Sequence, residues 1–548
     1  MSPHNEAKTL FSDPFSGRWN SYCHTAKESE NIMQQIGKNI QNAVYRVNFS
    51  LKLQSVSVKN VASVTSDTSD RWSKNVKSFD DIPGPKGLPY FGTLLPYRLG
   101  WLNMKNVPDV LRQWYKQYGG IVKEIRAGHT VVHIFDPDLI RFVYAGEDKW
   151  PRIEPLLETT QLYRKQFDMS PGLGNTNDEE WYRLRTAIQQ LMMRPKEVLF
   201  FLPGADRVAL DFVSHIKQHR NSRNEVPDFS TELGRWSLES SGVGSFDRCL
   251  GFLTESGRRE AVELIDANTT VFELTAKLKF ALPLYKYLPS PTWKRLVAAE
   301  STIFREFKRH FDTTFETLKK KITSGQLKEG EFRFLCYMLG RPELGEKDIV
   351  TLTLSRFIDG LSTTTQALLF ALYCLATNSA AQEKAFEEIN SLLSPSSTLT
   401  ADTFNQLSYV RAIIKESFRL FPINIEIARV TKKNMIIGDY QIPEGTVIHL
   451  NNTTLFRDPE FFEEPDTFIP ERWLRDESVQ KVHPFILLPF GHGPRMCAGR
   501  RIAEQEMAIL LTRILQNFHL EWHHPQLRQK YCTLNVPDSP VQITFLDR

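Results

Sequence analysis

Cys497 is where this chain holds the means for redox chemistry. It stands in FGHGPRMCAGRRIAEQEM, residues 490–507, a glycine-rich loop that runs straight into an apolar helical pattern. A thiolate that ligates iron must be deprotonated, sheltered from oxidants and kept from donating too much charge. It therefore needs a helix N-terminus ahead of it and backbone N–H donors around it. Gly493 and Gly499 let the backbone approach a flat macrocycle without a side chain in the way, and Arg495 supplies a cation where a carboxylate of that group would lie. The arrangement is what a thiolate ligand to a haem iron needs, whereas a structural cysteine beside a turn needs none of these neighbours.

Three other stretches carry paired chemistry. Glu416 and Arg419, in IIKESFRL, lie three residues apart on one helical face and can form an ion pair; Arg472 follows in FIPERW. Trp181 and Arg185, in EEWYRLR, share a helix face at four-residue spacing, and an arginine there suits bidentate contact with a carboxylate. FIDGLSTTTQA, residues 357–367, places Asp359, Ser362, Thr363 and Thr364 between the apolar runs LTLSRFI and LLFALYCLA, which predicts a buried helix rather than a solvated turn.

The elements that must position these residues follow from periodicity. Helical patterning dominates from about Asn177 to Leu392, with prolines only at breaks such as Pro203, Pro283, Pro289, Pro291 and Pro342. VVHIF at 131–135 reads as a buried strand, alternation returns over 434–449, and VQITFL at 541–546 closes the chain in β structure. The expectation is mostly α with minor β sheets: one large helical domain over 79–548 with a small β region, entered through the proline-rich hinge FDDIPGPKGLPYFGTL.

The balance of 68 basic and 64 acidic residues, +4 overall, argues against a nucleic-acid-binding domain resting on bulk charge. Six scattered cysteines form no C-x-x-C pair, so neither a disulfide framework nor a zinc site is indicated. No apolar run is long enough to span a membrane, and no secretory signal opens the chain. Residues 33–66 instead carry Lys38, Arg46, Lys52 and Lys59, many Ser and Asn, no acid, and Ile36, Ile40, Val44 and Val47 on one helical face. That is the composition of a mitochondrial transit peptide, within an extension covering 1–78. Glu6, Asp13, Glu28 and Glu30 upstream are wrong for such a peptide, which points to translation starting at Met33.

Phe490, Gly493, Arg495, Cys497 and Gly499 fit F-x-x-G-x-R-x-C-x-G, and on these residues the sequence resembles the cytochrome P-450 family of haem-thiolate monooxygenases. The resemblance covers roughly 79–548 and implies that family's fold, with haem b (iron protoporphyrin IX) on Cys497. It also implies a buried Glu416–Arg419–Arg472 triad, haem-propionate contacts from Trp181 and Arg185, with Arg429 as a further candidate, and a proton-delivering hydroxyl at Thr363. Against the family pattern [A/G]-G-x-[D/E]-T-[T/S], Gly360, Thr363 and Thr364 match. Asp359 stands where a small residue is usual, and Ser362 replaces the acid. Asp359, one helical turn before Thr363, is the expected substitute acid.

CAGRRIAEQEM and Lys415 resemble the mitochondrial branch, similar to its invertebrate members. Members of that branch take electrons from an acidic ferredoxin that its reductase charges from NADPH. Lys415, Arg411, Arg500 and Arg501 would form the docking patch; the alternative is that the two arginines serve the haem or local capping. The implied activity is insertion of one atom of O2 into a lipophilic, steroid- or ecdysteroid-like substrate at the matrix side of the inner membrane, with peripheral contact to that membrane. Clearance of foreign compounds, a haem-thiolate isomerase or dehydratase, and an inactive ligand carrier are the other readings.

Overall fold

The computed structural model describes residues 76–88, 90–394, 397–474 and 482–548. The transit-like segment and Met33 lie outside the described residues. Helices dominate, and ten short strands form one four-stranded sheet and three two-stranded ones.

The central element is the helix Glu346–Ala376, buried on nearly every face. Its start is fixed by chemistry rather than by propensity. Asp348 accepts from the Gly345 N–H at 3.1 Å, from Ser170 Oγ at 2.7 Å and from Arg183 at 2.9 Å. A carboxylate in the first turn also suits the positive end of the helix dipole. Around the C-terminal half pack Leu202–His219, Ser408–Leu420 and the helix after the cysteine, Arg500–Asn517, in one hydrophobic cluster. A second cluster joins the N-terminal half to Phe229–Phe246, Glu255–Lys279 and Pro291–Thr323. The long helix Pro291–Thr323 begins as its sequence predicts, with Pro291 in the first turn and Ser290 Oγ accepting from the Trp293 N–H at 3.1 Å.

The strands are β1 (Ile121–Arg126), β2 (His129–Ile134), β3 (Ile427–Val430), β4 (Met435–Ile437), β5 (Tyr440–Ile442), β6 (Val447–Leu450), β7 (Phe518–Glu521), β8 (Gln529–Cys532), β9 (Leu534–Pro537) and β10 (Thr544–Asp547). The four-stranded sheet runs β1-β2-β6-β3, with β2 and β6 parallel and the other pairs antiparallel. Strand β2 starts at His129, two residues before the apolar run suggests, because Ala127 and Gly128 at φ 50° and 79° make a tight hairpin that fixes its register. The expected alternation over 434–449 resolves into the β4–β5 hairpin and β6.

A polar cluster is buried beside this sheet. His449 Nδ1 lies 2.9 Å from Glu426, which also receives Lys279 Nζ at 2.7 Å, while His133, opposite His449 in the register, donates to Glu124 at 3.0 Å. Asn451 donates to the other His133 ring nitrogen at 3.1 Å, which holds that ring neutral. Burial alone would lower the His449 pKa, but Glu426 and Glu154 outweigh it and raise it to about 9. Among the described residues no helix is long and apolar enough to cross a membrane.

Candidate haem site

The loop before Arg500–Asn517 is built to present Cys497. Its N–H donates to the Phe490 carbonyl at 2.9 Å, and Phe490 packs edge-on against Phe418 with ring centroids 5.4 Å apart. Gly493 adopts φ 75°, and a Cβ there would sit 3.0 Å from Glu147 Oε2, so glycine is required on both counts. The Cys497 thiol is open on one side, and the N–H groups of Gly499 and Arg500 point at its sulfur. Burial pushes the thiol up; those N–H groups and Arg185 pull it back toward the thiolate, and Asp359 opposes them. Cys497 and Asp359 both have open space beside them and yet are enclosed by protein closely enough to be raised by burial. Together these facts describe two walls of one internal cleft.

Arg495 is held at one edge of that cleft. It donates to the Pro151 carbonyl at 2.8 Å, the Thr176 carbonyl at 2.9 Å and Asn177 Oδ1 at 2.6 Å, and lies over the Trp181 ring at 4.1 Å. Its Nη1 is buried with no partner, and burial together with Arg429 and Arg185 lowers its pKa to about 9. Arg185, also buried, forms no hydrogen bond among the described residues. Two guanidiniums with unspent donors, pressed together out of water, are a place for carboxylates. With an open thiol aimed into the same cleft and a glycine-lined approach, these residues fit a haem with its propionates at the Arg495 edge. Arg429 is committed elsewhere, since its Nε pairs with Glu147 and its Nη2 reaches the His492 carbonyl at 3.3 Å. The sequence did not mark Glu147 or Asn177, because each acts through a contact far away along the chain.

On the facing wall the central helix exposes Asp359 and Thr363 to the cleft. Thr363 Oγ1 donates 2.8 Å to the backbone carbonyl of Asp359, not to its carboxylate. The helical spacing alone suggested the carboxylate. A threonine hydroxyl at i finds the i−4 carbonyl on its own helix first, leaving the Asp359 carboxyl without a hydrogen bond among the described residues. Desolvation raises that carboxyl to about 6, with Arg164 opposing and Glu300 reinforcing. Ser362 and Thr364 are buried and sit off this face; Thr364 lies toward Ser237 and Ser241 beside Gly360.

Behind the cysteine loop, Glu416 and Arg419 are both fully buried. Arg419 makes a fork to Glu416 at 2.7 and 2.9 Å, and Glu416 further accepts from Arg472 at 3.4 Å, the Ile469 N–H at 3.0 Å and Trp473 Nε1 at 2.9 Å. The three charged residues do meet, and Trp473 completes the shell. Of the four surface cations, Lys415 is exposed and forms no ion pair among the described residues, and Arg501 is half exposed. Arg500 pairs with Glu504 at 2.9 Å, and Arg411 turns onto the carbonyls of Phe404 and Asn405.

The family model "Cytochrome P450" matches residues 82–545. The "Probable cytochrome P450 CYP44" of Caenorhabditis elegans is 39% identical, covering 86% of this chain and 94% of that protein. The "1,25-dihydroxyvitamin D(3) 24-hydroxylase, mitochondrial" of Mus musculus is 31% identical over 87% and 91% of the two chains. "Cytochrome P450 302a1, mitochondrial" of Drosophila melanogaster is 31% identical over 85% and 95%. With Cys497 opened into a cleft beneath the helix that bears Thr363, and with a family match over most of its length, this chain belongs to the cytochrome P450 family of haem-thiolate monooxygenases.

Proposed function

We propose that this protein is a mitochondrial monooxygenase that hydroxylates a lipophilic, steroid-like molecule, using haem b ligated by Cys497 and electrons from a ferredoxin. The observation that carries the reading is the Cys497 thiol facing Asp359 and Thr363 across one cleft. Haem, when bound, supplies dioxygen activation: with two electrons and two protons, one oxygen atom enters a substrate C–H bond and the other leaves as water.

The chain's own residues do the rest. The N–H groups of Gly499 and Arg500 stabilise the sulfur as an anion, and the Glu416–Arg419–Arg472 cluster locks the helix and loop behind it. Arg185, Arg495 and Trp181 orient the propionate edge. Asp359 passes protons into the cleft, with Thr363 holding one at its hydroxyl, in place of an acid at Ser362. NADPH enters only through the reductase and ferredoxin, and the acidic ferredoxin docks at Lys415 and Arg501, with Arg500 and Arg411 at the rim.

Residues 79–548 form the catalytic domain, and 1–78 an extension whose transit peptide begins at Met33. The relatives named as mitochondrial support a mitochondrial site for this chain, and the reading puts it on the matrix side of the inner membrane. Peripheral contact with that membrane fits an apolar surface. Trp101 is 75% and Tyr287 82% exposed, and Tyr97 against Phe280, 4.6 Å between ring centroids, ties their two segments together. The experiment is turnover of the purified protein with ferredoxin, its reductase and NADPH on a lipid extract under heavy-isotope dioxygen. Hydroxylated product carrying the label supports the reading. Unlabelled rearranged product would favour a haem-thiolate isomerase, the second reading, to which the serine at 362 lends support.

A further inference from the structure

Three polar side chains converge on the wall of the cleft that faces Cys497, and among the described residues none spends more than one hydrogen bond on the protein. Glu300, on Pro291–Thr323, is buried and accepts one hydrogen bond, from the buried Thr160 Oγ1 at 2.6 Å. Arg164, one turn beyond Thr160 on the helix Glu158–Gln166, is also buried. It donates to the Pro171 carbonyl at 2.8 Å and makes no other hydrogen bond or ion pair among the described residues. Its guanidinium is wedged beside Gly172 and Thr351, two helical turns before Asp359: a Cβ on Gly172 would lie 2.5 Å from Nη1 and 3.1 Å from the Thr351 methyl. Asp359 completes the set, its carboxyl without a hydrogen bond among the described residues because Thr363 takes the backbone carbonyl instead. The charges of Arg164 and Glu300 both reach Asp359.

An arginine with no ion pair among the described residues and two under-used carboxyls, desolvated on one wall, are costly unless a ligand completes them. The set mixes donors and acceptors. An anionic ligand group would meet Asp359 and Glu300, a cationic one would meet Arg164, and a ketone could only accept. A hydroxyl both donates and accepts and brings no charge. Resting on the haem-thiolate reading, we propose that Arg164, Glu300 and Asp359 form a subsite that recognises a hydroxyl already present on the lipophilic substrate. The substrate is then a hydroxylated lipid, so the reaction adds a second oxygen function to a molecule that an earlier hydroxylation or a sterol-type 3-hydroxyl has already marked.

The test uses the purified holoprotein and N-alkylimidazoles of increasing chain length, each with and without a terminal hydroxyl. The imidazole anchors on the iron, and the Soret shift reads the dissociation constant without any turnover. A missing haem spectrum refutes the haem reading itself, whatever happens at the subsite. With haem present, the hydroxyl form is expected to bind about tenfold tighter or more at the chain length that reaches Arg164, the gain of hydrogen bonds to charged groups. Arg164→Met should erase that preference, read as the ratio of hydroxyl to plain alkyl binding within the variant. Glu300→Gln, which keeps the shape and is the safer fold, should reduce it. Equal binding of both forms at every length, or a preference that survives both substitutions, overturns the proposal.

Discussion

Replacing Arg419 with alanine should destroy haem binding, and the geometry gives the size of the effect. The side chain is fully buried and makes a two-bond fork to Glu416. It also donates to the carbonyls of Phe456 at 2.8 Å, Pro465 at 2.5 Å and Thr467 at 2.9 Å. Alanine leaves Glu416 with Arg472, Trp473 and the Ile469 N–H, so its charge is not wholly stranded, but the buried Phe456 carbonyl and the partly buried carbonyls of Pro465 and Thr467 lose their donor. Breaking a buried ion pair from one side costs about 3–5 kcal/mol, and orphaning the buried Phe456 carbonyl adds about 1 kcal/mol or more. The sum, on the order of 5 kcal/mol, compares with a whole-domain stability of about 5–15 kcal/mol. Arg419→Lys keeps the charge but loses the fork and should fall between wild type and alanine. The assay is haem per chain by absorbance together with the urea midpoint of whatever soluble protein remains. Arg419→Ala with full haem content and an unshifted midpoint would show that the buried fork is not what holds the haem-bearing core together.

Three further outcomes follow from other parts of the molecule. Because Asp359 is raised to about 6, product formed per electron pair should fall as pH rises through about 6, and Asp359→Asn should flatten that profile; equal profiles would remove Asp359 from proton delivery. Lys415→Glu should slow reduction by ferredoxin roughly tenfold at low ionic strength, the defect shrinking as salt is added, with ligand-binding spectra unchanged. His449, raised to about 9, is protonated in the fold and largely neutral above about 6.5 when unfolded. It therefore stabilises the protein below about 6.5, and on the order of 3 kcal/mol is lost as pH rises through about 9. Urea midpoints from pH 6 to 10 should show that loss in wild type and not in His449→Asn.

The sequence revealed what depends on local spacing. The helical body, the small sheets and the meeting of Glu416 with Arg419 follow from periodicities of a few residues. The loop that aims Cys497 is legible for the same reason, since its glycines and its helix start lie within a few positions of the sulfur. What spacing cannot give is direction. Asp359 and Thr363 share a face, yet the hydroxyl chooses the backbone carbonyl. Arg429 has the right residue type but is paired with Glu147, a partner set by the packing of β3 against a distant loop. Arg164 and Glu300 come together only through the stacking of two helices, and no local pattern announces them.

Everything proposed for the site depends on Cys497 ligating iron as a thiolate. The most direct measurement is the absorption spectrum of the reduced, carbon-monoxide-bound protein beside that of Cys497→His. Wild type should give the strongly red-shifted Soret band of a thiolate-ligated haem with carbon monoxide, and the variant should either lack haem or give the shorter-wavelength band of an imidazole ligand. A wild-type spectrum already of the imidazole kind, or a red-shifted band that persists in Cys497→His, would contradict the account.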